Sequence, residues 1–343
     1  MKRLRVLVLM HPALMPPDSL KGYSEQEINV WKTEYDVLTT LRAAGHEVRA
    51  LGVQHELKPI RDEIESWKAD IVFNLLEQFH GETAYDQNVV SYLELLRVPY
   101  TGCSPLGLML ARGKDLSKKL LHYHRIPSPA FAVFPKGHKI KRPKRLELPL
   151  IVKSLSEDAS EGISQASVVD TDEKFVERVA FIHDRIDTAA IVEQYIEGRE
   201  IYVGVLGNDR LRVLPVWELE FRNMAPGTKR IATGRVKHNT DYQEKRGIYH
   251  GPAQDLSPEL VARIKKSAKR IYRTLGLQGY SRIDFRLSAD NIPYFLEANP
   301  NPEIAESQEF SHAAAHDGLS YQALLNRILH LGMNRPMSVV TAG

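Results

Sequence analysis

The stretch at residues 282–303, RIDFRLSADNIPYFLEANPNPE, decides the fold. Two apolar runs, IDFRL and PYFLEA, flank the polar turn SADN, the pattern of a β-hairpin. Side chains two apart on a strand project to one face. Arg282 and Asp284 therefore share a face, as do Glu297 and Asn299. When the strands pair, that face collects a guanidinium, two carboxylates and a carboxamide. Such oxygens are hard ligands suited to Mg²⁺, which takes few protein oxygens and completes its shell with phosphate oxygens and water. Arg282 beside them suits a transferring phosphoryl group. The plainer alternative is a surface hairpin with a salt bridge.

Two further segments point the same way. Lys153 stands mid-strand in IVKSL, where a lysine among apolar residues needs an anion. VEQYIEGRE (192–200) places Glu193, Glu197 and Glu200 around a strand end and a glycine turn. Such a segment presents backbone groups to an adenine edge and a carboxylate to ribose hydroxyls; alone, it reads equally as an acidic turn.

The rest of the chain frames these pieces. LRVLVLM (4–10) is a continuous apolar run of the kind found in buried parallel strands. A helix is expected over 25–45, strands at 47–53 and 70–76, helices at 58–68 and 84–96, and a short strand at 98–102. This alternation predicts an open parallel sheet over roughly the first 105 residues. Helix 114–125 leads through Pro127 and Pro129 to strands at 130–134, 148–155 and 167–170, a helix at 172–184, and strands at 189–196, 199–207 and 210–221. Residues 222–252 lack periodicity and read as a long functional loop. Helices at 257–275 and 319–331 bracket the hairpin.

Composition sets outer bounds. The 343 residues carry a net charge of +3, with 43% hydrophobic and 26% charged residues, which gives no global support for a nucleic-acid or membrane partner. The basic run KGHKIKRPKRLE (136–147) reads as a solvated loop. A lone cysteine, Cys103, and the absence of a membrane-length apolar run predict a cytoplasmic protein in a reducing compartment.

Together the segments RIDF…FLEANPNPE, VEQYIEGREIYVGVLG, LIVKS and YTGCSPLGLMLARGKDLSKKLL resemble the ATP-grasp superfamily, most closely its D-alanine–D-alanine ligase family. The resemblance implies an α/β chain: an N-terminal open parallel α/β domain (1–108), then a two-lobed α+β ATP-grasp module with a small lobe (109–192) and a C-terminal lobe (193–343). It also implies an ATP-dependent carboxylate–amine ligase that makes a dipeptide-like amide through an acyl-phosphate, working as a homodimer on small-molecule substrates. An ATP-grasp kinase and a non-catalytic nucleotide-binding module are the alternatives. By position, Lys114 and Lys153 would contact ATP phosphates, Glu193 with the backbone of Tyr195 and Ile196 would hold adenine, and Glu200 the ribose. Asp284, Glu297 and Asn299 would bind two Mg²⁺ ions, with Mn²⁺ as an alternative, and Arg282 would stabilise the reacting groups. SLSEDASEGIS (154–164), with Ser160, matches the phosphate-covering loop, and Lys237 the lid lysine.

The family pattern breaks at several points. Ala159 stands near the family's linking serine, so that Ser160 fits only with a shift; His238 replaces a tyrosine; and Asn301-Pro302-Glu303 replaces Ser-Pro-Gly. A carboxylate at 303 would crowd and repel an incoming alanine carboxylate, so a different amine acceptor is expected. Glu25, Glu27 and Glu34 all stand near the place of the family's N-terminal glutamate, and spacing leaves the choice open. Glu27, His80, Glu82, His238, Asn301 and Glu303 are carried forward as candidate substrate contacts.

Overall fold

The computed structural model describes residues 2–156, 163–224, 227–232, 236 and 240–335. Strand β1 (Arg5–Met10) is buried from Val6 to Met10, because parallel neighbours flank it and helices cover it. With β2 (Glu47–Gly52) and β3 (Ile71–Asn74) it forms a parallel sheet in the order β2-β1-β3. The strand expected at 98–102 shrinks to a single parallel bridge, Val72 to Tyr100. Pro99 explains this, since it has no N–H for a ladder and offers only its carbonyl, to Val72 N at 2.8 Å. The first helix is also divided, at Trp31, into Glu25–Val30 and Lys32–Ala43.

A helix that sequence periodicity did not mark, Pro105–Arg112, starts on the cap Ser104, whose hydroxyl accepts from Gly107 N. Helix Lys114–Tyr123 follows after one residue. Next comes an antiparallel sheet in the order β4-β7-β5-β6, made of β4 (Phe131–Phe134), β5 (Leu150–Ser154), β6 (Val168–Val169) and β7 (Ala190–Gln194). It has its own core of Phe134, Val152, Phe175 and Val192.

The largest sheet is antiparallel, in the order β10-β9-β8-β11-β12, with β8 (Gly198–Leu206), β9 (Arg212–Phe221), β10 (Ile248–Pro252), β11 (Tyr280–Ser288) and β12 (Pro293–Pro300). The described part of 222–252 is thus more regular than its sequence suggested. It includes helix Thr240–Arg246 and edge strand β10. A seven-residue polar helix is too short to display a period. One continuous core runs from Leu7 and Val72 through Leu108 and Leu121 to Ile201, Ile283 and Phe295, joining the N-terminal sheet to the large one.

A close approach seals that junction. The Asn301 side-chain oxygen accepts the Cys103 N–H at 2.7 Å, and Gly102 (φ +92°) passes so near that a Cβ there would lie 2.5 Å from the same oxygen. Gly102→Ala should therefore cost about 1–3 kcal/mol, from left-handed backbone strain plus displaced carboxamide. Urea unfolding checks this, and a loss under about 0.5 kcal/mol would show that the contact gives way easily.

Candidate active site

The hairpin register brings the expected groups together. Arg282 pairs across the strands with Asn299, and Asp284 with Glu297. On the other side of β11, Asp284 lies opposite Tyr202 and Arg286 opposite Glu200. Asp284 is buried and grips Arg282 in a two-pronged ion pair (Nε to Oδ1 2.8 Å, Nη2 to Oδ2 3.0 Å), while Asn299 Nδ2 donates to Oδ2 at 2.9 Å. The guanidinium lies 4.7 Å over the Tyr202 ring. Glu309, from helix Glu309–His316, reaches its far side at 3.6 Å and contacts His250 at 3.0 Å. Burial alone would raise the Glu309 carboxyl, but the His250 hydrogen bond and the Arg282 charge hold it down at about 2. Glu200 is likewise committed, to Arg286 Nη2 at 3.0 Å and to the Tyr202 hydroxyl at 2.9 Å.

Facing this stripe is a buried cationic cluster. Glu193 Oε2 pairs with Lys153 Nζ at 3.1 Å, and Oε1 with Lys118 Nζ at 3.3 Å. Lys118 also donates to the Leu296 carbonyl at 2.7 Å, so that it binds helix Lys114–Tyr123, β7 and β12 at one point. Burial works against the charged form at all three residues. It prevails at Lys118, whose pKa falls. At Lys153 the fields of Glu193 and Glu297 outweigh it and raise the pKa; at Glu193 the two lysines outweigh it and lower the pKa. The Lys153 side chain, 14% exposed, is the accessible end of the cluster, whereas Lys118 is fully enclosed.

The other expected residues are placed as follows. Lys114 opens its helix and is buried. The Tyr195 N–H is already used by the Pro149 carbonyl at 3.1 Å, which leaves the Tyr195 carbonyl and the Ile196 main chain, just beyond the end of β7, as the backbone groups for an adenine edge. His80 and Glu82 are exposed in a tight turn, with His80 at φ +57° and its ring 5.0 Å from His55. Glu27 is spent on its own helix: its carboxylate accepts from both the N–H and the hydroxyl of Ser24 in a capping box. Ser160, Lys237 and His238 lie outside the described residues. Among the described residues no three His, Cys, Asp or Glu side chains form a metal-ligating group, so any ion here takes two carboxylates and an amide oxygen at most from the hairpin.

Glu34, rather than Glu27, borders a cavity of about 290 Å³, lined also by Thr33, Asn74, Glu77, Asn301 and Glu303. Burial, with smaller contributions from Glu77 and Glu303, raises the Glu34 carboxyl to about 7. Glu303 accepts from Gln308 Nε2 at 3.0 Å, and its own carboxyl is raised by burial and by Glu309 and Glu77.

Sequence reasoning missed Lys118, Arg286 and Glu309, and it left Glu34 as one of three alternatives. Lys118 could have been found one helical turn beyond Lys114, and Arg286 two residues beyond Asp284 on the same strand face. Glu309 and His250 carry no local signal, since only tertiary folding joins them to Arg282.

Comparison with known proteins gives a consistent result. The family model for the D-ala D-ala ligase C-terminus matches residues 120–330. A D-alanine–D-alanine ligase of Desulfotalea psychrophila is 33% identical over 274 residues, covering 78% of this chain and 79% of that protein. One of Bordetella petrii is 36% identical over 248 residues, 71% of each. An uncharacterized protein of Sinorhizobium fredii is 32% identical over 266 residues, covering 77% of this chain and 75% of that one. The fold matches a Bacillus anthracis D-alanine–D-alanine ligase solved in complex with ATP, with a TM-score of 0.72 at 23% identity over 96% of this chain and 97% of the other.

Glu34 generates a pH prediction. A carboxyl raised from 4.5 to about 7 on folding binds its proton more tightly when folded. Its stability contribution is complete below pH 4.5 and is lost as pH rises through 7, by about 3 kcal/mol in all. Glu34→Gln should remove that slope, leaving the variant more stable than the parent at pH 8. Chemical unfolding at pH 5, 6.5 and 8 measures it, and parallel curves for the two proteins would refute it.

Proposed function

The chain belongs to the D-alanine–D-alanine ligase family, and from that premise we propose that it is an ATP-dependent carboxylate–amine ligase whose acceptor is an amine other than D-alanine. The observation that carries this reading is the β11–β12 register, which sets Asp284 against Glu297 and Arg282 against Asn299 beside the exposed end of the Lys153–Glu193–Lys118 cluster. Acidic oxygens and a poised lysine adjoin, as transfer of a magnesium-bound phosphoryl group requires. The donor set fits Mg²⁺: Asn299 turns its amide nitrogen to Asp284, which leaves a carboxamide oxygen beside two carboxylates. Two Mg²⁺ ions held by Asp284, Glu297 and Asn299 would neutralise charge on the nucleotide phosphates.

In this reading the protein groups divide the work. Both Glu193 oxygens are taken by Lys153 and Lys118, so instead of the adenine contact expected of it Glu193 steers Lys153 onto the ATP phosphates, which Lys114 also meets. The Tyr195 and Ile196 main chain meets adenine, and Glu200 meets the ribose. A donor carboxylate oxygen attacks the γ-phosphorus, the bond to the bridging oxygen breaks, and ADP leaves. The amine nitrogen then attacks the acyl carbon, a C–N bond forms, the C–O bond to phosphate breaks, and the amine gives up a proton. Arg282, locked by Asp284 and Glu309, faces the charge that develops in both steps. Lys237 and Ser160 are carried as a lid and a loop contact on the family's pattern. The lobe limits 1–108, 109–192 and 193–343 follow the same pattern, and His80 and Glu82 remain candidate substrate contacts.

Glu303 supports the altered acceptor. An acceptor carboxylate about 4 Å from it would be repelled by roughly 1 kcal/mol in water and about 4 at an effective dielectric near 20, the latter near a thousandfold in affinity. A homodimer is supported by Leu106 and Met109, exposed one turn apart on helix Pro105–Arg112. No helix among the described residues is long and apolar enough to cross a membrane.

Glu297→Gln should lower ADP formation by about two orders of magnitude or more in a protein whose circular dichroism matches the parent. Turnover within about tenfold of the parent would count against the metal assignment. For the acceptor, D-alanine pairs should give little phosphate release with the parent and clearly more with Glu303→Gly. Efficient D-alanyl-D-alanine formation by the parent, seen by mass spectrometry, would refute the altered acceptor.

A further inference from the structure

The cavity at the carboxyl end of β3 has an unusual charge balance. Its lining includes Glu34, Glu77 and Glu303 and contains no lysine, arginine or histidine among the described residues. Glu34 is only 5% exposed. Apart from its own main-chain N–H, no donor or cation reaches its carboxylate among the described residues. A carboxyl so buried, unpaired and close to two others is expensive to ionise. An anionic ligand would worsen that cost, and an apolar one would leave it unanswered. A neutral donor would meet the hydrogen bond but not the charge, whereas a cation meets both. At about 30 Å³ per water-sized unit, 290 Å³ holds a ligand the size of one amino acid.

We propose that this cavity seats a second, non-reacting cationic group of the acceptor, such as the side-chain ammonium of a basic amino acid or the far amine of a diamine, with Glu34 as its counter-charge and Glu303 as the carboxylate that selects for it. The term acceptor rests on the ligase reading given above; the cation seat itself does not. Thr33, which donates to Glu303 at 3.5 Å, and Asn74 add polar groups to the same lining. The Asn301 carboxamide is held on Cys103 N–H and forms a fixed floor.

The test is calorimetric binding of lysine, ornithine and norleucine in both stereochemical forms, and of cadaverine. Titrations use the full chain with Mg²⁺ and a non-hydrolysable ATP analogue, in the parent, Glu34→Gln and Glu303→Gln. The basic probes should bind at least about tenfold tighter than norleucine, and that preference should fall to about threefold or less in Glu34→Gln. Both substitutions keep side-chain shape, and Glu34→Gln relieves a buried charge, so loss of fold is not expected; a melting curve for each checks it. Equal binding of norleucine, no measurable binding of any basic probe, or an unchanged preference in Glu34→Gln overturns the cation seat. ATP-dependent phosphate release with the same probes separates the two readings. Turnover on neutral amino acids without a basic preference leaves the ligase standing and removes the seat. Selective binding of basic probes without phosphate release from any acceptor does the reverse.

Discussion

The buried contact of Lys118 with Glu193 and the Leu296 carbonyl is the constraint on which the rest of the molecule depends. It brings together three elements far apart in sequence: helix Lys114–Tyr123, strand β7 of the small sheet and strand β12 of the large one. A charged side chain with no exposure survives only where its hydrogen bonds are met, so the helix, the small sheet and the hairpin are held to one relative arrangement at this point. That arrangement is also what sets Lys153 beside Glu297. Removing the lysine would leave Glu193 with one partner and a strand carbonyl without a donor.

The two arginines of the hairpin obey the same rule of completed partnerships. Arg282 is enclosed by Asp284, Glu309 and the Tyr202 ring, and Arg286 by Glu200 and the Gly198 and Arg230 carbonyls. These groups are already in a working posture, so little reorganisation is required when a charged ligand arrives. Glu34 departs from the rule, and it does so on the wall of a cavity, where a departure has chemical meaning.

Much of this was legible before any coordinates. The hairpin announced itself through period-two alternation, and its register placed Arg282, Asp284, Glu297 and Asn299 together as the spacing required. Lys153 was legible because a lysine among Ile151, Val152 and Leu155 contradicts its surroundings. What stayed hidden depends on tertiary proximity. Glu309 and His250 lie on elements that meet Arg282 only after folding. Among the three N-terminal glutamates, spacing could not separate Glu27, which caps its own helix, from Glu34, which faces a cavity; the break at Trp31 turns the two helices independently. Short elements, such as helix Thr240–Arg246, offer too few residues for any period to show.

Lys118 donates to main-chain oxygens of β12, at Leu296 and more distantly at Phe295, and its ammonium also lies 5.2 Å from the Phe295 ring. The hydrogen bond is blind to the side chain at 296, whereas an aromatic ring at 295 adds to the contact. Over evolutionary time position 296 is freer to drift than 295, while the lysine that reads their backbone is not. The freedom is one-sided: a relative could exchange Leu296 and keep the hairpin's alignment with the small sheet. A change at 118 has no neighbouring substitution to compensate it, because no side chain at 296 can stand in for a donor that must reach a carbonyl from the opposite lobe.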